Sequence, residues 1–245
     1  DPSVRLGVVE VRERDVHEPS GDFRRLVEAL EAQWPDRVTG AISCDLNILQ
    51  SVQPVLRAGK WQVTVALRDG HHIVGIWPFL KERIAGVAID VGSTTMSAHM
   101  CDMVTGEVLA STGAMNPQIR FGEDLMSRVS YGIMNPGGDR EMTAAVIEGL
   151  QTLISGAAEQ AGLTNEDVLE IVLVGNPVMH HLLLGIDPVE LGGAPFALAV
   201  DTSVEIRASE LGIDVHPGGR VYVLPCIAGH VGADAAGVVL AEAPQ

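Results

Sequence analysis

Between residues 96 and 101 apolar and polar side chains change places at every step, Met96, Ala98 and Met100 alternating with Ser97, His99 and Cys101. A period of two marks a strand with one buried face. The apolar run AGVAID lies just before it, and the turn between them is GSTT, Gly92 to Thr95. A second turn at Thr105 and Gly106 leads into another β-rich run, so the pattern predicts a three-strand meander from about Ala85 to Met115. After it the period lengthens. FGEDLMSRVSYGIM and DREMTAAVIEGLQTLISGAAEQAG read as two helices, the second of about six turns and ending near Gly162. A helix cap, a buried strand from Leu169 to Val174, a glycine turn and a short helix follow. The order β-β-β-α-β-α is that of a ribonuclease-H-like half-domain. The last unit, GRVYVLPCIAGHVGADAAG, repeats a buried strand, a glycine-containing turn and an aspartate, Asp234.

The chain before residue 80 has a different rhythm. VRLGVVEVRERDV reads as a strand, and Phe23, Leu26, Val27 and Leu30 fall at helical spacing behind a cap at Asp22. A second helix over CDLNILQSVQPVLRAG is expected to kink or break near Pro54. Two β-rich runs flank Asp69-Gly70, a strong hairpin signal. The expected organisation is therefore an α/β chain: a small α+β domain over residues 1–83, then the ribonuclease-H-like part over 84–245. His71 and His72 point to opposite faces of a hairpin tip with no carboxylate partner nearby, and read as a polar turn rather than metal ligands. Trp61 and Trp77 read as packing residues.

Composition narrows the function classes. A 245-residue chain with 47% hydrophobic residues can bury a sizeable core, and a net charge of −16 argues against a broad grip on nucleic acid or anionic lipid. Any phosphate must be held locally. Three cysteines far apart, Cys44, Cys101 and Cys226, form no C-x-x-C pair, so neither a disulfide framework nor a cysteine-ligated zinc or iron–sulfur site is suggested. No signal peptide or long apolar run is present, so a soluble cytoplasmic setting without membrane contact is expected.

The turn after Asp90 holds the candidate chemistry. Glycine permits close backbone approach, and amides and hydroxyls of Gly92, Ser93, Thr94 and Thr95 can converge on phosphate oxygens. A carboxylate at Asp90 would repel that phosphate unless a cation lay between, and Mg²⁺ held through water is the natural mediator. The bland alternative is an Asx turn in which Asp90 only bonds the backbone. Asn176 can reach a cleft from the end of a buried strand or simply open a helix at Asn-Pro. Arg120, Asp124 and Arg128 can meet a nucleotide or partner, or form an ordinary surface pair at a spacing of four. His180 and His181 read as packing or capping residues and Cys226 as a small buried thiol, while His230 sits in the second turn.

VAIDVGSTT resembles the first phosphate motif of the ATPase superfamily shared by sugar kinases, chaperone ATPases and actin. The segments NPQIRFGEDLMSRVSYG, VGNPVMHHLLLGIDPVELGGAPF and LPCIAGHVGADAAG are more specific. Together they resemble the ATP-dependent reductive activators of corrinoid-dependent methyltransferase systems, with residues 1–83 like that family's middle domain and the rest like the front of its ATPase domain.

The resemblance implies reactivation of a corrinoid protein from Co(II) to Co(I), with ATP coupled to one-electron reduction. It implies Mg²⁺ at Asp90 through water and phosphate at Gly92, Ser93, Thr94 and Thr95. It further implies Asn176, Gly229, Gly232 and Ala233 around the nucleotide, with Asp90 and Asp234 as the catalytic carboxylates. The implied partners are the Co(II) corrinoid protein and an electron donor to a [2Fe-2S] ferredoxin domain; a homodimer is left open. This chain has no four-cysteine cluster and ends soon after Asp234. It therefore reads as a fragment lacking the ferredoxin domain and the second half of the ATPase fold, and inactive alone. Two other readings stay open: a small-molecule kinase of the same superfamily, which would need an alcohol acceptor, and a non-catalytic scaffold whose assembly responds to nucleotide.

Overall fold

A computed structural model describes residues 3–15, 17, 19–229, 231–234 and 237. Its contacts divide the chain into two compact units, Asp1–Ile84 with Asp102–Glu107, and Ala85–Cys101 with Val108–Gln245.

In the first unit β1 (Val4–Glu10), β3 (Gln62–Arg68) and β4 (His72–Pro78) are joined by β2 (Ser43–Cys44) in a sheet of order β1-β3-β4-β2. Helices α1 (Asp22–Gln33) and α2 (Leu46–Ala58) place Leu26, Leu30, Ile48, Val52 and Leu56 in one core with Val9, Val63, Val65, Leu67 and Ile73. Trp34 closes this core over Gly7, where a Cβ would lie 2.2 Å from the indole, so only glycine fits beneath the ring. The Asp69-Gly70 hairpin is present, with φ of 49° and 73° at the two central residues of a turn closed by the His71 amide on the Arg68 carbonyl at 3.0 Å.

Three expectations for this unit need correction. Gly21, not Asp22, is the N-cap of α1; the Asp22 carboxylate instead accepts hydrogen bonds from Arg25 and Arg57. Both guanidinium groups also lie over the Trp61 ring, at 5.5 and 5.0 Å from its centroid. Helix α2 runs through Pro54 without a break, because the apolar face of Ile48, Val52 and Leu56 is held in the core on both sides of it. His72 does have a carboxylate neighbour: its Nε2 is 3.6 Å from Asp45 Oδ1, brought there by the short parallel pairing of β2 with β4, while its Nδ1 meets Ser43 Oγ at 2.8 Å. Two residues far apart in sequence make this contact, so spacing could not show it.

The second unit is a six-stranded sheet of order β7-β6-β5-β8-β10-β9. Its strands are β5 (Ala85–Val91), β6 (Thr95–Asp102), β7 (Val108–Met115), β8 (Val168–Gly175), β9 (Val204–Arg207) and β10 (Arg220–Val223). The meander is β5-β6-β7, and β5, β8 and β10 run parallel. Helices α3 (Leu125–Met134), α4 (Gly138–Gln160) and α5 (Pro177–Leu183) supply the other elements. Alternation along the strands buries Val87, Ile89, Val91, Met96, Ala98, Met100, Ile171 and Leu173 against Met142, Val146, Leu150 and Ile154 of α4 and Met179 and Leu182 of α5. Each fully buried aliphatic side chain contributes roughly 1.5–3 kcal/mol, so this face holds the unit together. The opposite face of the same strands is left for other uses.

Candidate functional site

Strand alternation puts Ala88 and Asp90 on the face away from the core. With Ser97 and His99 of β6 and Val172 and Val174 of β8 they line a cavity of about 510 Å³ that Asp234 also enters. Two carboxylates 144 positions apart thus share one space. Asp90 stays open to solvent, yet partial burial in the cavity raises its carboxyl pKa and the neighbouring Asp234 charge raises it further. A divalent cation relieves such a pair. His99 is held by a 2.9 Å contact between its Nδ1 and Ser111 Oγ. A larger cavity of about 610 Å³ along α4, lined by Thr143, Ala144, Ile147 and Leu211, holds neither of these aspartates.

The turn after β5 has a defined polarity. Asn116 Nδ2 donates to the Gly92 carbonyl at 2.8 Å, Arg128 Nη2 donates to the Ser93 carbonyl, and the Asn116 amide donates to the Thr94 carbonyl at 2.8 Å. All three turn carbonyls are therefore engaged from below. The Ser93 and Thr94 amides bond to no acceptor among the described residues. A turn whose carbonyls are held on one side presents its N–H groups on the other, the arrangement of an anion nest. A Cβ at Gly92 would sit 2.5 Å from the Thr95 carbonyl oxygen, so the turn closes only around glycine. These turn residues do not line the cavity of Asp90; they follow it along the chain.

The second turn is a tight hairpin in which Ala228 and Val231 exchange two backbone bonds of 3.0 Å. Added Cβ atoms there would collide: at Gly229 with the Phe196 carbonyl at 2.1 Å, and at Gly232 with Asn176 Cα at 2.5 Å and the Gly175 carbonyl at 2.6 Å. Gly232 thus lets the turn lie directly on the junction of β8 and α5. Ala233 is fully buried beside Asp234, and His230 lies outside the described residues. The Asn176 side chain caps α5, accepting from the Met179 amide at 3.0 Å, and does not line the cavity.

Asp124 and Arg128 are not a surface pair. Asp124 caps α3 by accepting from the Ser127 amide at 2.7 Å, while Arg128 is fully buried. Its guanidinium donates to the Gly122 carbonyl at 3.0 Å, to Gln118 Oε1 at 3.3 Å and to Met179 Sδ at 3.0 Å, besides Ser93. Arg120 lies over the Phe121 ring at 4.8 Å. Asn116 opens one of the family-like segments but receives no role from the sequence, although Asn-Pro after a strand is a capping signal and its Oδ1 does accept from the Gln118 amide at 2.9 Å.

His181 is a buried spacer whose Nε2 accepts from the Ala199 amide at 3.0 Å and whose Nδ1 lies 2.9 Å from the Pro177 carbonyl. His180 is buried with neither ring nitrogen bonded among the described residues. Burial, helped by His181, lowers its pKa to about 4. Cys226 is a buried thiol whose pKa burial raises, which keeps it protonated and unreactive. Among the described residues no group of three or more His, Cys, Asp or Glu could hold a metal, and no helix is long and apolar enough to cross a membrane.

These features define a mixed α/β protein whose second unit has the ribonuclease-H-like order of elements. Residues 85–243 match the family model described as the RACo middle region and residues 1–83 match that of the RACo linker region, so the chain belongs to the RACo family. The label "middle" thereby falls on residues 85–243 rather than on 1–83. The chain is 26% identical to the corrinoid activation enzyme RamQ of Eubacterium limosum over 89% of its own length and 40% of that protein. It is also similar to the solved structure of a reductive activator for corrinoid, iron-sulfur protein, with 30% identity and a TM-score of 0.85. That match covers 98% of this chain and 38% of the other, so the chain spans about two fifths of the relatives it matches.

Proposed function

We propose that this chain supplies the first phosphate-binding half of an ATP-dependent activator that returns a corrinoid protein from Co(II) to Co(I). One observation carries the nucleotide part of this reading. Asp90 and Asp234 meet in one cavity at the end of a strand whose following turn has its carbonyls held from below. Family membership supports the corrinoid part.

The residues fit Mg²⁺ and a polyphosphate. Burial and, after it, the Asp234 charge raise the Asp90 pKa, a penalty that a divalent cation offsets, and the Ser93 and Thr94 amides meet no acceptor among the described residues. Bound Mg²⁺ would neutralise phosphate charge beside Asp90. The chain's own part is to orient: the turn holds phosphate oxygens through backbone donors, and Gly232 lets the second turn approach the N-terminus of α5. Reduction takes one electron per cobalt from an iron–sulfur donor, a centre that the three free cysteines here do not form. Reduction to Co(I) is uphill for an ordinary ferredoxin donor. ATP binding or hydrolysis must therefore favour one arrangement of activator and corrinoid protein over another, by as much as its differential affinity allows.

The test is ATP hydrolysis by the full-length protein with and without a purified Co(II) corrinoid protein, followed together with cobalt reduction by absorbance. Stimulated hydrolysis with appearance of Co(I) is expected. ATP turnover indifferent to the corrinoid protein would remove the activator reading and leave only the nucleotide half.

A further inference from the structure

Arg128 is an unusual residue for its position. It is 0% exposed, yet its guanidinium donates only to neutral acceptors: two backbone carbonyls, an amide oxygen and the Met179 thioether. No carboxylate lies within ion-pair distance of it among the described residues. Asp124, one turn earlier on α3, acts on it only from farther off. A buried charge without a close counter-charge is costly. One of its donors ends on the Ser93 carbonyl, inside the very turn whose Ser93 and Thr94 amides are unbonded among the described residues.

We propose that Arg128 is a positioning residue for the anion site: from beneath the Gly92–Thr95 turn it fixes the Ser93–Thr94 peptide with the Thr94 N–H outward, and its charge, with no carboxylate at ion-pair distance, makes that turn selective for polyphosphate. Asn116 does the same for the two flanking peptides, bonding the Gly92 and Thr94 carbonyls. The two residues converge on Met179 Sδ, at 3.0 Å from Arg128 and 3.6 Å from Asn116, which locks their side chains to α5. Arg128 touches no ligand in this scheme. It orients the groups that do, and supplies a positive potential in a low-dielectric setting where charge acts strongly. The inference rests on the nucleotide reading above for the identity of the anion, but not for the existence of the site.

The experiment uses the full-length protein with R128K, R128M and N116S. KM and kcat for MgATP, competition by uncharged adenosine, direct titration with Mg·pyrophosphate and thermal unfolding are measured for each. R128K keeps the charge and loses the fork, and is expected to raise KM about tenfold; R128M loses both and should raise it further. Adenosine affinity should be unchanged in both. A folded R128M with wild-type KM would overturn the proposal, as would a parallel loss of adenosine and ATP affinity, which marks a structural role alone. If R128M does not fold, R128K and N116S decide, since N116S removes one carbonyl anchor and leaves the charge; wild-type KM in both would overturn it. A wild-type protein that takes pyrophosphate but not ATP removes the nucleotide reading and keeps the anion site. Binding of neither removes both.

Discussion

Asp90 and Asp234 face one cavity, and the charge of the second adds to burial in making the first harder to ionise. Such an arrangement is unfavourable for the empty protein and favourable for a cation. Asp90→Asn in the full-length protein should therefore lower Mg²⁺-dependent ATP hydrolysis by about 100-fold or more. Unchanged turnover would take Asp90 out of the mechanism.

The same relationship sets a pH-dependent stability. A carboxyl with a raised folded-state pKa favours the folded protein most when protonated, so its contribution is present below the unfolded value and is lost as pH rises through the folded value. Without divalent cations, Asp90→Asn should raise the melting temperature near neutral pH and leave it unchanged in strong acid. Mg²⁺ should bring the wild type level with the variant. Scanning calorimetry at two pH values checks this, and an Asn variant that melts lower at neutral pH would contradict it.

His180 works in the opposite direction. Its pKa falls to about 4 on folding, so the folded state excludes a proton that the unfolded chain takes up near 6.5, and stability drains as pH falls between those values. By pH 5 the loss is roughly 2 kcal/mol. His180→Leu, which also removes two unbonded buried nitrogens, should flatten the decline in urea midpoint between pH 7 and pH 5. An equally steep decline in the variant would assign acid lability elsewhere.

In the first unit the Asp22 carboxylate serves two guanidinium groups, one of them on the nearly buried Arg25. Asp22→Asn would leave Arg25 charged without its partner and should cost about 2–4 kcal/mol in denaturant unfolding. A cost below about 0.5 kcal/mol would show that the Trp61 face and the Ser20 and Gln53 carbonyls satisfy both arginines without the carboxylate.

Gly232→Ala puts a methyl group into backbone atoms of the β8–α5 junction, which cannot move aside as a side chain would. The second turn must lift. ATP affinity should fall about tenfold or more while far-ultraviolet circular dichroism stays unchanged. Wild-type affinity in a folded variant would show that close approach of this turn is dispensable.

The meander and the α4 helix were legible because local periodicity specifies them: Met96, Ala98 and Met100 do face the core, and α4 runs 23 residues from Gly138. Strand β9 escaped notice because four residues at a sheet edge carry too short a pattern. The floor of the site escaped for a different reason. Asn116, Arg128 and Met179 are spread over three elements, and their convergence is a product of packing that no local window contains. Arg128 even imitated a surface residue, since four positions after Asp124 is the spacing of an exposed helical ion pair. Asp90 was recognisable from its turn, but its meeting with Asp234 follows from a sheet in which β8 and β10 lie beyond β5.

Because β5, β8 and β10 run parallel, the segments that leave their ends, at Gly92, at Asn176 and after Val223, emerge along the same rim of the sheet. The apolar side chains that hold the sheet to α4 and α5 lie on one face, while the turns gather at the rim and Asp90 opens onto the other face. Substitutions among the exposed residues of the rim and open face should therefore disturb folding less than substitutions among the helix-facing side chains, where volume-conserving aliphatic exchange is tolerated best.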